Sequence, residues 1–222
     1  DNFWSSAVIW QVGRNHELIP QKYLGEVDMG DPATLEYFLK FAHSRYPGRR
    51  TILCFYNHGA GCWGACIDQN TLDKNPQSPT ILTLAEMREA LAKTRSVDLI
   101  CFTAPCLMGN IEAAYELRYN TEVLIGSENF SGYILWMGSI RPLCDTLKSR
   151  PDISNYELAQ EIVRSTAACC RSRDPVSFDQ NYTLSAVRSD RMSAVAEAIS
   201  ELSAAVLANR DEAFALFNQA LG

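Results

Sequence analysis

Thr51 to Gly59 reads TILCFYNHG, a run of strand-forming side chains that stops at Asn57, His58 and a glycine. An apolar run without alternation suits a strand buried on both faces, as in parallel sheets flanked by helices. The upstream sequence agrees. In MGDPATLEYFLKFAHSRYPG, Asp31 can cap a helix, Pro32 suits its first position, and Leu35, Phe38, Leu39 and Ala42 recur at helical spacing until Pro47-Gly48 ends it. Earlier still, SAVIWQV (Ser6 to Val12) reads as a strand with one apolar face towards a core, and polar GRNHELIPQK reads as a loop.

The pattern continues downstream. After a glycine-rich turn, IDQNTLDKNPQSPT (Ile67 to Thr80) is polar, carries two prolines and reads as a long exposed loop open to nicking. Thr83 then caps a helix, LAEMREALAKT, with Glu86 as its capping-box partner. A second apolar run, VDLICFTA (Val97 to Ala104), ends at Pro105-Cys106, and a helical pattern in LMGNIEAAYELRY follows at once. Another strand is expected at EVLIGSE, then helices around LCDTLKS and YELAQEIVRSTAACC, a strand at YTLSAVRS and an amphipathic helix from about Arg191 to Leu207 and beyond. Alternating strands and helices predict an α/β domain with a mostly parallel sheet covered on both faces. Active sites in such sheets lie outside the carboxyl ends of the strands.

Composition narrows the function classes. The 222 residues fit a single domain, with 47% apolar and 21% charged residues. A net charge of -6 without basic runs or clustered aromatics argues against a nucleic-acid partner. No apolar segment approaches the roughly 18 residues a membrane span requires. Eight cysteines are too dilute for a disulfide scaffold, and Cys54 and Cys101 sit in apolar runs as core thiols, so reduced cysteines are expected. Localisation stays open: reduced thiols favour the cytoplasm, whereas a signal peptide removed ahead of Asp1 would mean secretion.

Two strands thus finish in reactive side chains, His58 and Cys106. If the strands are parallel neighbours, both residues emerge at one edge, where an imidazole can take the proton of a nucleophilic thiol. A helix starting at Leu107 would add its dipole in favour of the thiolate. The backbone N–H groups of Gly59 and Cys106 could together stabilise a tetrahedral oxyanion. The bland reading is a structural strand-end cysteine and a loop histidine, and periodicity does not separate the two.

The succession MGDPATLEYFLKF, TILCFYNHGAGCW, LTLAEMREAL, VDLICFTAPCLMGNIEAAYELRY and VLIGSENFSGYILW resembles the clostripain-like cysteine peptidases, relatives of caspases, gingipains and legumain. The most specific parts are NHG at Asn57 to Gly59 and CLMGNIEAAYEL at Cys106 to Leu117, with about fifty residues between histidine and cysteine as in the caspase-type order. The resemblance implies a three-layer α/β/α caspase-like fold and an endopeptidase acting on proteins or peptides. His58 would be the general acid/base and Cys106 the nucleophile, without a third triad residue. It also implies that Glu128, in the SEN stretch, lines the substrate pocket, and Trp136 is read as a wall of the same pocket; the plain alternatives are a solvated carboxylate and a core indole.

The chain departs from the family pattern at Ala104. Relatives carry an acidic residue there, two positions before the nucleophile, and it recognises a basic P1 side chain. Its loss removes the charge-assisted partner for Arg or Lys, so an uncharged P1 residue is expected. The family's opening strand is not evident before Ser6, so the 222 residues are read as one peptidase domain and as an excerpt of a longer chain. The polar loop lies where some relatives process themselves, which by resemblance makes Lys74 a candidate bond, one that the changed pocket at Ala104 argues against. The alternative function is a caspase-like regulatory or interaction domain of a larger assembly, inactive or switched on by a partner.

No cofactor is expected, and calcium enters by family resemblance only, since no D-x-D-x-D-G loop occurs. His58, Cys62 and Cys66 form H-x3-C-x3-C, but a fourth zinc ligand at suitable spacing is missing, so both cysteines are read as neighbours of the site. Cys169-Cys170 reads as core packing, Glu112 as structural, and His16 and His43 stand outside any motif.

Overall fold

The computed structural model describes residues 6–69, 80–131, 133–173 and 182–221. Its centre is a four-stranded sheet of β3 (Ile52–Cys54), β6 (Leu99–Phe102), β7 (Val123–Gly126) and β8 (Ser185–Arg188), in the order β3-β6-β7-β8. The first three strands run parallel and β8 pairs antiparallel with β7. The carboxyl ends of β3, β6 and β7 therefore share one edge, which the segment entering β8 also reaches.

The period-2 geometry of a strand explains why these runs are apolar throughout. Ile100 and Phe102 of β6, with Leu124 of β7, face a core built with α1 (Pro32–Arg45), α2 (Leu84–Ala92) and α3 (Ile111–Glu116). Their neighbours Leu99, Cys101, Val123 and Ile125 face a second core, closed by α4 (Tyr133–Ser149) and α5 (Asn155–Arg173). Each strand feeds two cores at once, so a polar residue at any of these positions would be buried.

The helix caps follow the sequence. Asp31 accepts a hydrogen bond from the Ala33 N–H with Pro32 just inside α1, and Thr83 forms a reciprocal capping box with Glu86 at α2. Between α4 and α5 the approach is close: a Cβ added to Gly138 would stand 3.3 Å from both Cys170 Sγ and the Thr166 methyl. Cys170 is buried there, in line with its reading as core. All eight cysteines are free thiols. Cys54 and Cys101 are register partners across β3 and β6, and a hydrogen bond between the two thiols, reinforced by burial, holds Cys101 well above the usual thiol range.

Several expectations need correction. The stretch read as a loop after β1 (Ala7–Val12) holds a second strand, β2 (Leu18–Gly25), and the two form an antiparallel hairpin. Only Ile9 of β1 is buried, so the polar and proline-bearing β2 is stabilised by its ladder rather than by a core. The loop expected over 67–80 is flanked by another short pair, β4 (Ala65–Asp68) and β5 (Thr80–Leu82). Lys74 lies outside the described residues. At the carboxyl end α6 (Met192–Ala208) and α7 (Arg210–Leu221) follow, with Leu202, Leu207 and Phe214 exposed. No described helix is long and apolar enough to cross a membrane.

Candidate active site

The end of β3 delivers His58 to an exposed position. Phe55 is still buried, stacking on Phe102 at 4.9 Å between ring centroids, and the chain then surfaces at Tyr56, Asn57 and His58. Asn57 Oδ1 accepts a hydrogen bond from the His58 backbone N–H at 2.5 Å. The His58 carbonyl accepts from Cys66 N–H at 3.0 Å, and Gly59 bridges to Ala65. Cys66 thus holds the backbone of the histidine, with its thiol turned to the core and pushed up to about 11 by burial. Cys62 is exposed. Among the described residues, no group of three or more His, Cys, Asp or Glu is placed to hold a metal ion.

The end of β6 is built differently. Thr103 is fully buried, and its Oγ1 accepts from Ser139 Oγ of α4 at 2.9 Å. Ala104, Pro105 and Cys106 follow in a bend, and Leu107 adopts a left-handed backbone with φ 63°. The helix expected to start at Leu107 starts only at Ile111, with Asn110 as its cap. Cys106 therefore does not sit at a helix amino end, and the dipole argument for its thiolate fails. The cause is local crowding: Gly109 packs on β7 so closely that a Cβ there would lie 2.7 Å from the Gly126 carbonyl oxygen. That position and the left-handed Leu107 are incompatible with a helix through LMGN.

A set of hydrogen bonds holds this segment in place. Leu107 N–H donates to the Asn129 carbonyl at 3.1 Å, and Gly109 N–H to the Ser127 carbonyl at 2.8 Å. Asn110 Nδ2 donates to the Leu107 carbonyl at 2.6 Å while its Oδ1 caps α3 through Ala113 N–H. Ser131 touches the sulfur itself: its backbone N–H donates to Cys106 Sγ at 3.2 Å, and the thiol donates to the Ser131 carbonyl at 3.6 Å. The Ser131 backbone thus fixes where the sulfur stands.

Gly59 joins the two strand ends. A Cβ on it would lie 2.1 Å from the Cys106 carbonyl oxygen and 2.8 Å from its nitrogen, so only a glycine lets the backbones lie against each other.

A cleft of about 510 Å³ opens over this junction, lined by Tyr56, Asn57, His58, Ala104, Cys106, Ser131 and Tyr133. Three of the sequence-predicted site residues, His58, Cys106 and Ala104, thus meet there, and Gly59 lies against Cys106 from beneath. Trp136 is not part of the lining but backs it, its ring 5.0 Å from that of Tyr56. Glu128 is exposed and stands apart from the lining, with its N–H on Thr183 Oγ1 at 3.0 Å. Glu112 is exposed on α3, His16 occupies the turn of the first hairpin and His43 lies on α1. Sequence reading missed Tyr56, Asn57, Ser131 and Tyr133. The strand-end rule, applied to β7 as well as to β3 and β6, points to the last two.

Comparison with known proteins gives concordant results. The model of the clostripain family matches residues 4–220. Clostripain from Hathewaya histolytica is 34% identical over 116 residues, which cover 46% of this chain and 22% of that protein. Among solved structures, a secreted C11 cysteine protease from Bacteroides thetaiotaomicron in complex with an irreversible peptide inhibitor superposes with a TM-score of 0.66 at 18% identity, over 86% of this chain and 54% of that one. An inactive zymogen C11 protease from Parabacteroides distasonis gives 0.61 at 17% identity, over 86% and 50%. The chain spans about half the length of these solved proteins. At such identities they establish the fold, a caspase-like α/β/α sandwich.

Proposed function

The chain belongs to the clostripain family, and on that premise we propose that it is a cysteine endopeptidase with Cys106 as nucleophile and His58 as general acid/base. The observation that carries this reading is that the two side chains, from two parallel strand ends, line one cleft. In the proposed reaction the Cys106 thiolate attacks the scissile carbonyl carbon, and the N–H groups of Gly59 and Cys106 receive the developing oxyanion. The His58 imidazolium gives its proton to the departing amine, leaving a thioester on Cys106. The neutral imidazole then takes a proton from the water that hydrolyses the thioester, and Cys106 is released.

The proposed machinery is a dyad, without a third residue. The P1 residue is uncharged in this proposal. Ala104 brings a methyl group to the cleft, and no carboxylate occurs among its described lining residues, so an Arg or Lys would enter without a partner.

The test is cleavage of a proteome-derived peptide library by the wild type and by Cys106→Ala. The expected result is cleavage by the wild type alone, without enrichment of Arg or Lys at P1. Turnover by the variant would overturn the role of Cys106, and strong Arg/Lys selection the reading of Ala104. Silence of both proteins under all conditions would favour a regulatory domain.

A further inference from the structure

The cleft does more than exclude a charge. Two of its walls are aromatic: Tyr56 from the end of β3 and Tyr133 from the first turn of α4. Both residues are largely open to solvent, at 60% and 67% exposure. Tyr56 is nevertheless held in place, because Trp136, one turn along α4 from Tyr133, packs on it at an interplanar angle of 56°. One side of the Tyr56 ring is thereby supported, and the rest stays open beside the nucleophile. Half-buried Ala104 adds an apolar methyl to the same cleft. Supported rings left uncovered beside a reacting atom suit an aromatic ligand group, since covering them removes apolar surface from water and ring pairs add their own preference for tilted or offset contact.

We infer that Tyr56 and Tyr133 are specificity-determining residues that grip an aromatic side chain at P1, so that the scissile bond follows Phe, Tyr or Trp. This rests on the peptidase reading and extends it from the charge of the P1 residue to its shape. Tyr56 acts through its ring, with the hydroxyl dispensable, and Trp136 is a positioning residue behind it.

The experiment uses the complete protein and internally quenched peptides identical except at P1, which is Phe, Tyr, Leu, Ala or Arg. The expected kcat/KM for Phe and Tyr exceeds that for Ala and Arg by about ten-fold or more. Tyr56→Ala should lower the Phe-to-Ala ratio by about ten-fold, mainly through KM, whereas Tyr56→Phe should keep it. A thermal melt of each variant separates loss of the ring from loss of the fold. A ratio unmoved by Tyr56→Ala, or a wild type that prefers Ala or Arg, overturns the inference while leaving the peptidase standing. If no peptide is cut in a Cys106-dependent way, the peptidase reading falls and the specificity with it.

Discussion

The two strand ends that make the site differ in how tightly they are held. At β6 the segment from Thr103 to Asn110 is tied on several sides, by α4 through the Thr103 side chain, by the segment following β7, by the Asn110 side chain and by the close approach of Gly59. At β3 the histidine backbone is fastened by Asn57 and Cys66, and the side chain stands exposed. This division matches what the proposed roles require of each group. A nucleophile gains from a fixed position close to the substrate carbon, because misplacement by an ångström costs rate. An acid/base must serve the leaving amine and then a water, which sit in different places, so freedom of its ring is an asset.

The contrast can be broken experimentally. The largest effect is expected from Cys106→Ala, a loss on the order of 10⁴-fold or more in kcat with the fold intact, read in a peptide-cleavage assay. His58→Ala should come next, with a loss of about 10²–10⁴-fold and an unchanged melting temperature, since the residue is exposed. A large fall in stability would mean that the β3 end is more firmly built in than its exposure suggests.

Gly59→Ala probes the seam between the ends. Its methyl would collide with the Cys106 carbonyl, so stability should drop by about 1–3 kcal/mol, with a melting temperature several degrees lower and impaired cleavage. Full stability in that variant would show the two backbones to be less closely pressed than the structure has them. The smallest effect is expected from Asn110→Ala, which removes a helix cap and one tie on Leu107. About 1 kcal/mol in chemical denaturation and a modest loss of kcat are expected.

The sequence carried the architecture wherever one local signal sufficed. Asp31-Pro32 and the Thr83/Glu86 box marked helix starts, and the unbroken apolar runs at β3, β6 and β7 marked a sheet buried on both faces. Readings failed where a tertiary contact overrode the local pattern. LMGN looks helical from Leu107 onward until Gly126 is placed against Gly109. LIPQK looks like a loop until β1 offers a ladder to pair with.

The site divided in the same way. His58, Cys106 and Ala104 were legible because they end apolar runs or match a motif. Ser131 reaches the sulfur through its backbone, a contact that side-chain type cannot reveal. Tyr56 was hidden inside the strand signal, where an aromatic residue reads as β-propensity.

The parallel pairing of β3 with β6 also governs when the site can exist. Leu53 lies opposite Ile100, so the whole of α2 and the polar segment before it must be looped out before the strands meet. Such long-range parallel contacts form late, after local helices and turns. A chain emerging from the ribosome therefore presents its histidine well before the cysteine has a place beside it. The cleft over the two strand ends arrives only with completion of the sheet.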